Sequence, residues 1–173
     1  CVVSSAGVFN TFGRLLEPAD VRRAGYDKLL TRLTPSIAHL GVYIGLKGTA
    51  EELGLPKTNF WIYPDNDYDT ATERFLNDRN APFPVVYISF PSAKDPDYAR
   101  RRPGTSTIEI VAPAPYEWFD NWKDQPWGKR GDDYDACKNA LGERLMAVLY
   151  DKLPQLKGKV DYHEVSTPLS SAH

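Results

Sequence analysis

Residues 83–96 read FPVVYISFPSAKDP. Proline brackets the stretch at Pro84 and Pro91. Between them, Val85-Val86-Tyr87-Ile88-Ser89-Phe90 is a run of β-branched and aromatic residues, the types that fit a pleated, half-buried surface. Six residues is an ordinary strand length. Lys94-Asp95-Pro96 then reads as a turn. The stretch predicts a central strand, followed by a loop with chemical character of its own.

The neighbours of that strand lie on both sides of it in the chain. Residues 37–46 (IAHLGVYIGL), 58–63 (TNFWIY), 105–111 (TSTIEIV) and 159–165 (KVDYHEV) each read as strands. Gly41 and Gly45 weaken the first of these unless something comes close to them. Pro113 and Pro115 are expected to break the strand at 105–111. Residues 1–4 read as a strand end, 5–7 as a small-residue turn, and Asn10 or Thr11 as the start of a short helix to about Leu16.

Helical signals fill the intervals. Leu29, Leu30 and Leu33 share a face, and Pro35 should end that segment. Thr49 with Glu51 and Glu52 reads as a capped first turn. A helix over 69–79 should turn Ala71, Phe75 and Leu76 inward. Residues 97–102 read as a charged loop, and 116–122 as an aromatic anchor. Asp132 or Asp133 should cap the longest helix, which runs to about Leu153. Its apolar set is Ala136, Ala140, Leu141, Leu145, Val148 and Leu149. The order of elements predicts an α+β fold, with a mainly antiparallel sheet and helices packed on one face.

Composition bounds the function. A chain of 173 residues is long enough for one domain with a sizeable core. The net charge of −2 argues against an electrostatic nucleic-acid binder. Two cysteines, Cys1 and Cys137, are too few for a disulfide framework. No apolar run approaches the roughly 18–20 residues of a membrane span, and no signal peptide is legible. Both ends read as cut: the chain opens on Cys1 inside an apolar run and stops at residues 170–173.

Alternate strand residues share a face. One face carries Leu40, Val42, Ile44, Phe60, Ile62, Val86, Ile88, Phe90, Ile108 and Ile110, all apolar, and should meet the helices. The other carries His39, Gly41, Tyr43, Gly45, Asn59, Trp61, Tyr63, Val85, Tyr87, Ser89, Thr107, Glu109 and Val111. Aromatics, small residues and a few polar groups make it either a partly covered surface or one wall of a ligand site.

Motif chemistry is sparse. There is no Gly-x-Gly-x-x-Gly after a strand, no Gly-Lys-Ser/Thr phosphate loop and no Gly-x-Ser-x-Gly elbow. His39, His163 and His173 are scattered, so no metal site is expected. His39 reads more simply as a strand histidine than as a catalytic one. Glu109 is either a proton donor or a rim carboxylate paired with a base. Arg100-Arg101-Arg102 could meet an anionic headgroup or a cofactor phosphate, though a run of charges in a loop is ordinarily solvated. Residues 116–119 could touch a membrane surface. On residues alone, a non-catalytic α+β module that binds an apolar ligand or a protein partner through its Tyr/Trp face stays open beside an enzyme.

Several stretches carry a family likeness in unbroken order: 45–63 (GLKGTAEELGLPKTNFWIY), 90–96 (FPSAKDP), 114–119 (APYEWF), 128–134 (GKRGDDY), 153–160 (LPQLKGKV) and 167–169 (TPL). With the opening 2–16 (VVSSAGVFNTFGRLL), they resemble the retinol saturase family, related to carotenoid isomerases and phytoene desaturases. The resemblance implies an FAD-dependent oxidoreductase that saturates a carbon–carbon double bond of retinol or a related polyene. Residues 1–16 would then close the FAD domain, with Ser4, Ser5, Ala6 and Gly7 at the cofactor turn. Residues 17–169 would form the substrate domain, leaving 170–173 as a cut end. Tyr43, Trp61, Tyr87, Ser89 and Glu109 would face the retinoid. The dinucleotide fingerprint would lie outside this segment, so the segment alone should be inactive. The likeness also implies an NAD(P) electron donor, peripheral membrane contact and an address at the endoplasmic reticulum membrane.

Overall fold

The 83–96 stretch folds as a strand, but it is not the middle one. In a computed structural model, which describes residues 1–33 and 36–171, five strands form one sheet in the order β2-β3-β4-β1-β5. They are β1 (Ala38–Lys47), β2 (Phe60–Ile62), β3 (Val86–Ser89), β4 (Thr105–Ala114) and β5 (Val160–Ser166). Every pairing is antiparallel. The expected α+β class holds. The centre of the sheet is β4, whose ten residues pair with β1 along its whole length and with β3 at Glu109–Val111.

Contacts divide the chain into two units, residues 1–36 and 37–173. The expected boundary after residue 16 falls inside the first. In that unit residues 1–5 form no strand, because no partner ladder is present there to pair with them. A short helix, Val8–Asn10, runs into a π-helical turn at Thr11–Leu15. Helices follow at Pro18–Arg23 and Tyr26–Leu30, and Phe12 stacks on Tyr26 with ring centroids 4.3 Å apart. The helix stop expected at Pro35 and the third histidine, His173, lie outside the described residues.

In the second unit the apolar sheet face is the core. Leu40, Val42, Val86, Ile88, Phe90, Ile108 and Ile110 are at most 2% exposed, so the alternation read from the sequence is real burial. The covering element is the long helix Asp132–Lys152. It buries Tyr134, Leu141, Gly142, Leu145, Met146 and Leu149, a single stripe at helical spacing. Ala136 and Ala140 fall beside that stripe and are exposed, contrary to expectation. The cap is Gly131 at φ 80°, not Asp132 or Asp133, which sit in the first turn and complement the helix dipole instead. Gly142 lets the helix approach β5: a Cβ there would stand 2.5 Å from Val165 Cγ2.

Other expectations need local correction. The helix Tyr68–Asn77 buries Ala71 and Phe75 at i and i+4, which leaves Leu76, one position further round, 47% exposed. Pro113 does not break β4. It pairs with His39 of β1, while the β3 ladder has already ended at Val111, so no β3 partner asks for its missing N–H. Residues 97–102 are not all loop, since Tyr98–Arg101 is a helical turn. Lys94, expected to open a turn with Asp95 and Pro96, is the last residue of another short helix, Pro91–Lys94.

Candidate functional site

The sheet's second face has a definite order because register aligns its residues across strands. One row runs Trp61–Tyr87–Val111–Gly41–Ser166 from β2 to β5. The next carries Ser89–Glu109–Tyr43–Glu164. A third sets Thr107 beside Gly45 and Tyr162, and Pro113 stands beside His39. Alternation in each strand therefore brings Tyr43, Trp61, Tyr87, Ser89 and Glu109 to one face. On it Trp61, Tyr43 and Tyr162 are 62%, 48% and 62% exposed.

The aromatics shape two apolar grooves. Trp61 and Tyr87 meet at 4.8 Å between ring centroids, tilted by 56°. With His39, Val85, Val111 and Pro113 they line a depression of about 430 Å³. The second, about 380 Å³, lies between Tyr43, Gly45, Pro91, Thr107, Glu109 and Tyr162. Volumes of this order suit a medium-sized apolar ligand. Tyr43 bends its ring over Gly41, so the glycine that looked like a weakness in β1 is the floor on which an aromatic rests.

The polar members have defined partners. Ser89 is only 6% exposed, and its hydroxyl accepts from Lys94 Nζ at 2.9 Å. The same ammonium donates to Asn59 Oδ1 at 2.5 Å. Ser89 thus faces Lys94 rather than an open groove. Glu109 is half-buried between Tyr43 and Ser89 and borders the second groove. No base lies within ion-pair distance of it among the described residues.

The FPSAKDP signature has a physical reading here. β3 stops before Pro91, and Ser92 takes over its edge. The Ser92 hydroxyl donates to the Thr107 carbonyl at 3.2 Å and accepts the Thr107 N–H at 2.9 Å. Asp95 pairs with Arg101, and Asp97 holds Arg100 through two hydrogen bonds of 2.6–2.7 Å. That contact holds the Asp97 carboxyl below its usual range. Two of the three loop arginines are therefore satisfied locally.

Ser4, Ser5, Ala6 and Gly7 form an exposed turn in the first unit. Ser4 Oγ bonds Thr11 Oγ1 at 2.7 Å, and Gly7 takes φ 82° with open space where a Cβ would stand. These are the residues that the family resemblance sets at the cofactor turn. No helix is long and apolar enough to cross a membrane among the described residues. Pro113, Tyr162 and Lys94 were missed as members of the face. Tyr162 was legible in the alternation of 160–165, whereas Lys94 was not, because the sequence shows the helical turn after Pro91 only as a proline.

The fold is an antiparallel sheet with its core on one side and an exposed, aromatic, grooved second side. Over nearly its whole length, the chain is homologous to part of the proteins named all-trans-retinol 13,14-reductase, the retinol saturase family. It is 41% identical to the Rattus norvegicus protein of that name over 99% of this chain and 29% of the relative. It is 35% identical to a Danio rerio protein named inactive all-trans-retinol 13,14-reductase, over 98% of this chain and 29% of the relative. Prolycopene isomerase 2, chloroplastic, from an Oncidium hybrid cultivar is 26% identical over 96% of the chain and 25% of the relative. The chain thus spans less than a third of the curated relatives it matches. No family model matches it.

Proposed function

We propose that this chain is the substrate-binding part of an FAD-dependent oxidoreductase that saturates one carbon–carbon double bond of all-trans-retinol or a related polyene. The observation that carries the reading is the row Trp61–Tyr87–Val111–Gly41, an aromatic-to-glycine strip with grooves on either side. A rigid apolar polyene needs long contact area and few polar groups, and this face offers both. The similarity to proteins named for retinol reduction and prolycopene isomerisation gives the polyene class.

In this reading Tyr43, Trp61 and Tyr87 orient the polyene, and Glu109 is the carboxylate nearest its path. Lys94 keeps Ser89 and Asn59 fixed, so the groove floor does not shift. The flavin, held by segments mostly outside this chain with Ser4, Ser5, Ala6 and Gly7 at its turn, would supply the reducing electrons. A nicotinamide donor and an endoplasmic reticulum membrane address complete the reading.

The test uses the protein at its full natural length. It should purify with flavin absorbance, or take up FAD on reconstitution, and convert all-trans-retinol to a product one double bond shorter in conjugation. A colourless protein that cannot be reconstituted overturns the reading. The relative named inactive shares this segment at 35% identity, so the segment does not by itself decide activity. Stoichiometric retinoid binding without turnover would leave the non-catalytic, apolar-ligand module.

A further inference from the structure

The end of the long helix holds a feature that the sheet face does not use. Arg130 is only 6% exposed, and its Nε is buried without a hydrogen-bond partner among the described residues. Its one hydrogen bond there is a long one, 3.4 Å from Nη2 to the Leu169 carbonyl. No carboxylate lies within ion-pair distance of it among the described residues. A guanidinium withdrawn from water without a counter-charge is costly. It is an unusual thing to keep in a fold unless something fills the gap.

The gap is a pocket of about 160 Å³, which Arg130 lines together with Trp127, Gly128, Gly131, Lys138 and Ser170. It opens at the N-terminus of the 21-residue helix Asp132–Lys152. That terminus has no side-chain cap, so its first N–H groups are unsatisfied and its dipole favours negative charge. Tyr134 fixes the geometry. Its hydroxyl bonds Thr167 Oγ1 at 2.7 Å, and its ring carries Arg130 Cζ 5.2 Å and Lys138 Nζ 5.7 Å from its centroid. Two cations are thus held around one anchored aromatic.

Two carboxylates, Asp135 and Glu164, also line the pocket, and each has a partner. Asp135 is paired with Lys138 at 3.2 Å, and Glu164 takes the Tyr162 hydroxyl at 3.3 Å. Asp132 and Asp133 sit in the helix's first turn and are exposed. With Lys138 already paired to Asp135, Arg130 is the pocket cation without an ion-pair partner among the described residues. Its size is below that of a drug-sized site, which limits the occupant to one small group.

We propose that this pocket binds a small oxyanion, phosphate or carboxylate, through Arg130 and the N-terminus of the long helix. Guanidinium forks match both oxyanions, and charge-assisted contacts to them are the strong ones.

The test titrates inorganic phosphate and acetate, each against chloride at matched ionic strength, into the protein at its full natural length. Melting temperature and intrinsic tryptophan fluorescence are read together. A saturable response to either anion is expected. Saturation at the lower concentration by phosphate assigns a phosphate group, and by acetate a carboxylate. No response beyond that of chloride overturns the proposal. Arg130→Gln should raise the half-saturating concentration about tenfold or more, and an unchanged value overturns it. If Arg130→Gln does not fold, Asp135→Asn decides instead. Removing that carboxylate frees Lys138 toward the pocket and should lower the half-saturating concentration severalfold. An unaltered response there overturns the proposal equally.

Discussion

Tyr43 lays its ring on the backbone of Gly41, two residues earlier on the same strand. A Cβ at position 41 would stand 3.2 Å from Tyr43 Oη and 3.3 Å from Cε2 and Cζ. Gly41 has ordinary strand φ, so alanine is sterically allowed by the backbone and would gain about 0.5–1 kcal/mol of chain entropy. The crowding falls on the ring, which must swing outward. Gly41→Ala should therefore leave stability within about 1 kcal/mol and, on the proposed function, weaken retinoid binding, read in the full-length protein as a rise in KM for all-trans-retinol. A large fall in melting temperature at unchanged KM would place Gly41 in the service of the sheet, not of the groove.

Ser92 stands in for the strand residue that Pro91 prevents. Its hydroxyl satisfies both backbone groups of Thr107 on β4. Ser92→Ala removes a donor and an acceptor at once at a 6% exposed position. Unfolding in urea should show a loss of about 1–3 kcal/mol. A loss under half a kilocalorie would mean that water replaces the hydroxyl at that edge.

Much of this was legible in residues 37–111, for a physical reason. A sheet with one buried face imposes strict alternation, and alternation survives in the sequence whatever the register. Ile88 and Tyr87 could be assigned to opposite faces with no knowledge of their neighbours. What the alternation cannot carry is which strands pair. The middle place of β4, rather than of β3, comes from ladder lengths. The survival of Pro113 within β4 depends on where the β3 ladder stops. Helix faces were less legible where alanine was involved, because Ala136 and Ala140 lose little by exposure. The partnership of Lys94 with Ser89 needed the helical turn after Pro91, which the sequence shows only as a proline.

Acid should expose the capping carboxylates. Asp67 accepts the Thr70 N–H at 3.1 Å, and that contact holds its carboxyl below the usual range. Glu52 and Thr49 cap each other reciprocally at 2.8 and 3.2 Å, which lowers Glu52 for the same reason. A group whose pKa is lower in the folded state stabilises above its unfolded value and loses that contribution as pH falls through the folded one. Stability should therefore decline below about pH 5. Asp67→Asn with Glu52→Gln keeps the hydrogen-bonding shapes but removes the titration. The variant should show a shallower decline than the parent in melting curves taken from neutral pH downward. Parallel curves would assign the acid sensitivity to other carboxylates.

Tyr87 and Ile88 are neighbours in the chain and on opposite sides of the sheet, which gives the sharpest separation of roles. Ile88 is fully buried against the helices, so Ile88→Ala should cost about 2–5 kcal/mol of stability. Once corrected for the folded fraction, it should leave substrate affinity alone. Tyr87 is half-buried, touches Trp61 and faces the groove. On the proposed function, Tyr87→Ala and Trp61→Ala in the full-length protein should lower kcat/KM for all-trans-retinol while flavin content and melting temperature change little. The effect should be strongest for the longest polyene offered, because contact area along the row is what each ring supplies. If flavin content, stability and turnover all fall together in Trp61→Ala, the aromatic row is holding the sheet to another part of the protein, and the wall does not face substrate.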